Sequence, residues 1–165
     1  YEMAENYLLL GNPQKALQMA DKALKINPLF FDYQQVKGAA LIAIGEKMRA
    51  FKVFYKSITN YHDRPYAILL TGLRYLNASE FETSIRFFLL TLEEETPPLH
   101  AYAYLTYAYY QIGDTVNFLD FLRKSVEKCP EFLREIIGHN FPGVEPSDYY
   151  SYIVNLLGNN KNDND

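Results

Sequence analysis

Histidines and a run of glutamates are the first residues of this sequence whose types could do chemistry. A metal site needs several convergent ligands, but His62, His100 and His139 are scattered, and none is followed by a second ligand three or four residues later. The glutamates at 93–95 form a charge run at a helix end. Carboxylates do acid–base work in enclosed sites that separate their pKa values, so a solvated helix end is the favoured interpretation.

The single cysteine is the only candidate for a thiol nucleophile. Cys129 precedes Pro130 at a predicted helix end, with no histidine close in sequence and no strand–turn elbow around it. We therefore expect a half-buried structural thiol. Glycine-rich phosphate loops are absent as well. The sequence thus predicts a protein that is not an enzyme and that needs no cofactor and no metal.

A tyrosine-rich segment is the one constellation that points to binding. Residues 100–110 contain five of the chain's 15 tyrosines. Tyrosine combines a large apolar ring with a hydroxyl group, so it suits half-buried positions and recognition surfaces.

Composition and charge restrict the classes of partner and compartment. The 165 residues carry 16 lysines and arginines against 20 acidic residues, a net charge of −4 that disfavours a nucleic-acid-binding face. No apolar run approaches the ~20 residues needed to span a bilayer, and no signal peptide is visible. Because the chain opens with Tyr1 inside a helical pattern, we expect a piece of a longer protein. Its localisation is not determined, with the cytoplasm slightly favoured over a periplasmic or membrane-tethered parent chain.

The elements that must position these residues repeat with a fixed period. Gly11, Gly45, Ser79 and Gly113 are each 34 residues apart, and each lies between two stretches with apolar residues at helical spacing. A period of this length indicates a stacked array of one helix–turn–helix unit.

The residues around these turns resemble the tetratricopeptide repeat (TPR) family over about residues 1–130. A small residue stands at position 8 of each unit and a mostly large one at position 24. These pairs are Ala4 and Ala20, Gly38 and Phe54, Gly72 and Phe88, and Thr106 and Leu122. The resemblance implies an all-α fold, a right-handed α-solenoid of helix–turn–helix repeats. We expect a single domain over 1–158, with units at about 1–30, 31–63, 64–97 and 98–130, a capping segment at 131–158 that ends in a helix, and a flexible polar tail at 159–165.

The resemblance also implies where a partner binds. In TPR proteins the first helix of each unit lines the concave surface, and the matching positions include Gln35 in the second unit. The predicted peptide-binding set, which is apolar and rich in tyrosine, is Tyr66, Leu69, Leu73, Leu76, Ala103, Tyr107 and Tyr110. Tyr102 and Tyr109 fall at core positions. The lysines, arginines and asparagines of a carboxylate clamp are missing at the matching positions, so we expect few ionic contacts in this groove.

The function predicted from the sequence is a non-enzymatic scaffold that binds a peptide or helix of another protein in this groove. The alternative is a structural module through which copies of a larger protein associate. Tyr107 and Tyr110 leave a second alternative open, because they could stack on the C-terminal cap instead of contacting a ligand.

Overall fold

The described part of the chain folds into α-helices. A computed structural model describes residues 1–140, with side chains through residue 137, and over this range it contains nine helices and no strand. In chain order the helices are α1 (Glu2–Leu9), α2 (Pro13–Ile26), α3 (Phe31–Ala43), α4 (Lys47–Asn60), α5 (Arg64–Asn77), α6 (Phe81–Leu92), α7 (His100–Gln111), α8 (Thr115–Lys128) and α9 (Pro130–Asn140). The predicted all-α class, built of helix–turn–helix pairs, is confirmed. The helix expected at the end of the capping segment 131–158 and the tail at 159–165 lie outside the described residues.

The same turn closes all four hairpins. Gly11, Gly45 and Gly113 have φ between 69° and 84°, and Ser79 has φ 58° at the matching position. The N–H of the residue after each of them donates to a carbonyl five residues back, as Glu46 does to Leu41 at 2.8 Å. This is the Schellman arrangement, which pairs the last carbonyls of a helix. The 34-residue period of the sequence is therefore a period of helix C-caps.

Side-chain caps fix where several helices begin. The carboxylate of Asp114 accepts a hydrogen bond from the backbone N–H of Asn117 at 3.1 Å, and Asp63 accepts one from Tyr66 at 3.0 Å. The amide oxygen of Asn12 accepts from the N–H of Lys15 at 3.2 Å. Each cap pairs a backbone donor that the first turn of a helix would otherwise leave without a partner.

Contacts divide the chain into two compact units that are larger than one repeat. The first unit covers Tyr1–Thr96 and holds three hairpins, and the second unit starts at Pro97 and holds the fourth hairpin and α9. In the first unit, the first helices α1, α3 and α5 contact one another in series, and α2 and α4 each contact the two first helices beside them. In the second unit α7 contacts both α8 and α9. Since α9 packs on α7 as α5 packs on α3, it occupies the place of a further first helix. That the chain forms a single domain stays a prediction.

In two hairpins of the first unit, a glycine on one helix faces a phenylalanine on the other. Phe54 and Phe88 are fully buried. A Cβ atom at Gly38 would lie 2.3 Å from the ring of Phe54, and one at Gly72 would lie 2.6 Å from the ring of Phe88. Each ring thus fills the volume that a side chain on the facing helix would need. The interlocking of positions 8 and 24 expected from the sequence is present in both hairpins.

Candidate functional site

Helix α5 carries the predicted groove residues of the first unit. Tyr66 is 43% exposed, whereas Leu69 and Leu76 are buried and Leu73 is half-buried. The ring of Tyr66 lies 6.2 Å from that of Phe31, which stacks on Tyr61 at 3.8 Å. This half of the site is an accessible tyrosine held by an aromatic cluster, beside leucines that belong to the core.

Helix α7 carries the predicted groove residues of the second unit. Tyr110 is 47% exposed and lies 5.8 Å from the ring of Phe118, and Tyr107 is half-buried. Ala103 is fully buried in a cluster that contains Leu133 and Ile137 of α9. A ligand on this helix can therefore contact the two tyrosines, while Ala103 is covered by α9.

The tyrosines assigned to the core occupy two different environments. Tyr109 is buried, and its ring stacks on Phe121 at 5.4 Å. Tyr102 is half-buried, with its ring 6.4 Å from that of Phe121. Both rings pack against α8. The predicted binding set thus falls on two helices of two units, Tyr66 to Leu76 on α5 and Ala103 to Tyr110 on α7.

One transferred concave-face position is wrong. Gln35 is fully buried instead of lining a groove. Its amide nitrogen donates to the hydroxyl of Ser57 at 2.9 Å and to that of Thr71 at 3.3 Å. A buried amide needs hydrogen-bond partners. The hydroxyl oxygens of Ser57 on α4 and Thr71 on α5 accept hydrogen bonds from Gln35, so the three side chains connect α3, α4 and α5.

An ion pair that the sequence reasoning missed joins the first and third hairpins. The guanidinium group of Arg74 on α5 donates to both carboxylate oxygens of Glu5 on α1, one of them at 3.1 Å, and both side chains are largely buried. The hydroxyl of Tyr1 donates to the same carboxylate at 2.6 Å. The two charged residues are 69 positions apart, so their opposite signs on first helices were the only available signal.

Burial and hydrogen bonding act in opposite directions on the groups of this ion pair. Burial alone would raise the pKa of Glu5, but hydrogen bonds from Arg74 and Tyr1 and the nearby positive charge outweigh it and lower the pKa below that of an ordinary glutamate. Burial lowers the pKa of Arg74, whereas its bonds to Glu5 raise it more. Burial and the bond to Glu5 raise the pKa of Tyr1 to about 12. All three groups keep their bonding protonation states at neutral pH.

The residues that could have done chemistry occupy structural positions. Cys129 is half-buried, and burial raises the pKa of its thiol, which disfavours the nucleophilic thiolate. Glu93 and Glu95 are exposed, but the carboxylate of Glu94 pairs with Arg64, so the solvated interpretation holds for only two of the three glutamates. Over the described residues, no group of three or more potential metal ligands comes together.

Comparison with known proteins shows the fold of this chain. No family model and no curated protein matches the sequence. Among solved structures, MamA from Desulfovibrio magneticus RS-1 superposes with a TM-score of 0.54 at 16% identity, covering 96% of this chain and 93% of that one. TPR-like repeats of a putative kinesin light chain from Podospora anserina superpose with a TM-score of 0.56 at 13% identity, covering 96% of this chain and 93% of that one. The fold is a TPR-type helical repeat. A second MamA crystal structure gives 0.54 at 15% identity, with 98% of each chain covered.

Proposed function

We propose that this TPR-type chain is a non-enzymatic scaffold that binds a peptide or helix of another protein through the first helices of its hairpins. The observation that carries the proposal is the placement of Tyr66 and Tyr110, which leave 43% and 47% of their surfaces accessible on first helices. On α3, α5 and α7 every other large apolar side chain is buried or half-buried. Accessible tyrosines beside a rigid apolar base are typical of the anchors that dominate protein interfaces.

The proposed contacts are the accessible members of the predicted set, taken separately in each unit. Tyr66 and Leu73 would contact a ligand on α5, and Tyr107 and Tyr110 would contact one on α7. The buried Leu69, Leu76 and Ala103 would fix these helices. The ligand would be an apolar or aromatic segment of a polypeptide. The proposal includes no nucleic acid and no membrane insertion, and within the described residues no helix is long and apolar enough to cross a bilayer.

The test uses peptides selected against the wild-type chain from a displayed library. Their affinities are then measured for Tyr66→Ala and for the double variant Tyr107→Ala/Tyr110→Ala. We expect at least one of these to weaken binding by about tenfold or more, the loss typical of an interface anchor, with an unchanged melting temperature. The matched control is Tyr55→Ala, which removes an exposed tyrosine from the second helix α4.

Three outcomes would go against the proposed surface. Equal affinities for wild type and both tyrosine variants would exclude it. A loss of binding in the Tyr55→Ala control would place the contact on α4. A large drop in melting temperature for Tyr107→Ala/Tyr110→Ala would assign those two rings to packing.

Self-association is the second candidate, and a specific surface favours it. Leu9 and Leu10, neighbours in sequence where α1 meets the turn of the first hairpin, are 83% and 78% exposed, and exposed large apolar side chains that adjoin often mark interaction sites. If copies associate through these leucines, static light scattering over a concentration range gives a mass above that of one chain. Leu9→Glu/Leu10→Glu would return the mass to one chain.

A further inference from the structure

A cleft with three lysines lies in the first unit, and none of its lining residues belongs to the predicted binding set. Its volume is about 390 Å³, and it is bordered by α2, the α2–α3 connection, α3 and α4. Leu24, Pro28 and Val53 supply apolar walls, and Lys37, Lys52 and Lys56 supply ammonium groups. We refer to it as the lysine cleft. A small concave site with apolar walls and a few convergent charges is the usual form of a ligand pocket.

The segment that builds the lysine cleft differs in charge from the rest of the chain. Residues 13–60 contain eight lysines and arginines against three acidic residues, whereas the remaining residues contain eight against 17. A net-acidic protein thus carries half of its lysines and arginines on the three helices α2, α3 and α4. Such segregation attracts anionic ligands to one part of the surface.

Two of the three lysines have no counter-charge within the described part of the chain. Lys37 pairs with Asp21 at 2.6 Å. Lys52 and Lys56 are exposed and form no ion pair with another described residue. They stand four residues apart on one face of α4, a like-charge spacing that destabilises a helix by a few tenths of a kcal/mol. An acidic ligand in the cleft would remove this repulsion.

We propose that the lysine cleft binds an acidic segment of a protein partner, with one apolar side chain of the segment inserted between Leu24 and Val53. Carboxylates on either side of that side chain would pair with Lys52 and Lys56. The apolar walls favour a peptide over a nucleic acid, because none of the lining residues is aromatic and could stack on a base. The acidic remainder of the chain also repels a long polyanion. The proposal is independent of the tyrosine groove. The lysine cleft is lined by α2, the α2–α3 connection, α3 and α4, whereas the predicted binding set lies on α5 and α7.

The experiment measures fluorescence anisotropy of a labelled peptide with a central leucine flanked by glutamates. At an ionic strength of about 0.01 M the Debye length is about 30 Å, and at about 1 M it is about 3 Å. We expect saturable binding of the peptide at the low ionic strength and loss of binding at the high ionic strength. Lys52→Gln/Lys56→Gln should weaken binding about tenfold, whereas Lys52→Arg/Lys56→Arg should keep most of it. In the NMR spectrum, the methyl signals of Leu24 and Val53 should shift on binding.

The matched control is Lys124→Gln. Lys124 stands at the repeat position of Lys56, two 34-residue repeats later, but it pairs with Asp120 at 2.6 Å. This variant should bind as the wild type does. The proposal is wrong if no saturable binding occurs at low ionic strength, if the glutamine version of the peptide binds equally well, or if Lys124→Gln loses as much affinity as the double variant. Tighter binding of single-stranded oligothymidine than of the peptide would assign the cleft to nucleic acid instead.

Discussion

The two units of this chain pack the paired helices of a hairpin against each other in different ways. In the first unit, Gly38 and Gly72 lie against the rings of Phe54 and Phe88, so each ring packs directly on the backbone of the facing helix. In the second unit, Thr106 and Leu122 stand at the equivalent positions. Both are buried, and the hydroxyl of Thr106 lies 2.9 Å from that of Ser125. A large ring needs glycine opposite it, whereas a smaller leucine leaves room for a threonine and a hydrogen bond.

The units also differ in long-range ties. Glu5 and Arg74 connect the first and third hairpins of the first unit, and Gln35 connects three of its helices through Ser57 and Thr71. The hydrogen bond between Thr106 and Ser125 instead spans the two helices of a single hairpin. Polar contacts thus connect hairpins in the first unit, and the bond between Thr106 and Ser125 joins the two helices of one hairpin in the second.

The largest effect on stability is expected at Phe54, whose ring packs against Gly38. Phe54→Ala should lower the free energy of unfolding by about 4 kcal/mol, because it removes a fully buried ring and leaves a cavity that Gly38 cannot fill. Leu122→Ala should cost about 3 kcal/mol or less, since less volume is removed. Chemical denaturation with native-state hydrogen exchange would measure both changes. Equal losses of unfolding free energy would show that the two units do not differ in how their paired helices pack.

A substitution that imitates the second unit tests whether ring and glycine are coupled. Gly38→Ala should cost about 2 kcal/mol, because the new methyl group would overlap the ring of Phe54. Adding Phe54→Leu should make the double variant more stable than the sum of the single changes predicts. A double-mutant cycle measures this coupling. Strict additivity would mean that the helices move apart to accept the methyl group.

The ion pair gives the first unit a pH dependence that Glu5→Gln should remove. The pKa of Glu5 is lowered in the folded state, so its contribution is present above the ordinary carboxyl pKa and is lost as the pH falls through the lowered value. At neutral pH the substitution should cost about 1–2 kcal/mol. Urea denaturation of both proteins between neutral and acidic pH should show the difference vanish in acid. Glu2→Gln, on the exposed start of the same helix, is the control.

The smallest effect is expected at the turn that lacks glycine. Ser79 has φ 58°, a left-handed conformation that costs a residue with a side chain about 1–2 kcal/mol. Ser79→Gly should stabilise the chain by about 0.5–1 kcal/mol, after the greater flexibility of glycine in the unfolded state is subtracted. Gly45→Ser should have the opposite sign. Calorimetric melting would measure both, and a destabilised Ser79→Gly would show that the serine side chain contributes to the turn.

The fold was predictable because its determinants are local and repeated. The turn residues at 11, 45, 79 and 113 and the small–large pair Gly38–Phe54 recur at one spacing, and the structure confirms both. Interactions between hairpins were not predictable, since a single pair such as Glu5–Arg74 repeats nowhere in the sequence. Gln35 was misassigned for the same reason, because its burial depends on Ser57 and Thr71 from two other helices. The contribution of each tyrosine to binding stays a prediction.

The Schellman turns have a consequence for how such a chain can change in length. Each turn satisfies its own carbonyls within six consecutive residues, as the bond from Glu46 to Leu41 illustrates. Whole hairpins can therefore be gained or lost in steps of 34 residues without breaking a bond at the turns that remain. A deletion of any other size would place a large side chain where a helix crossing needs a small one. The length of a chain of this kind therefore changes in steps of one whole hairpin.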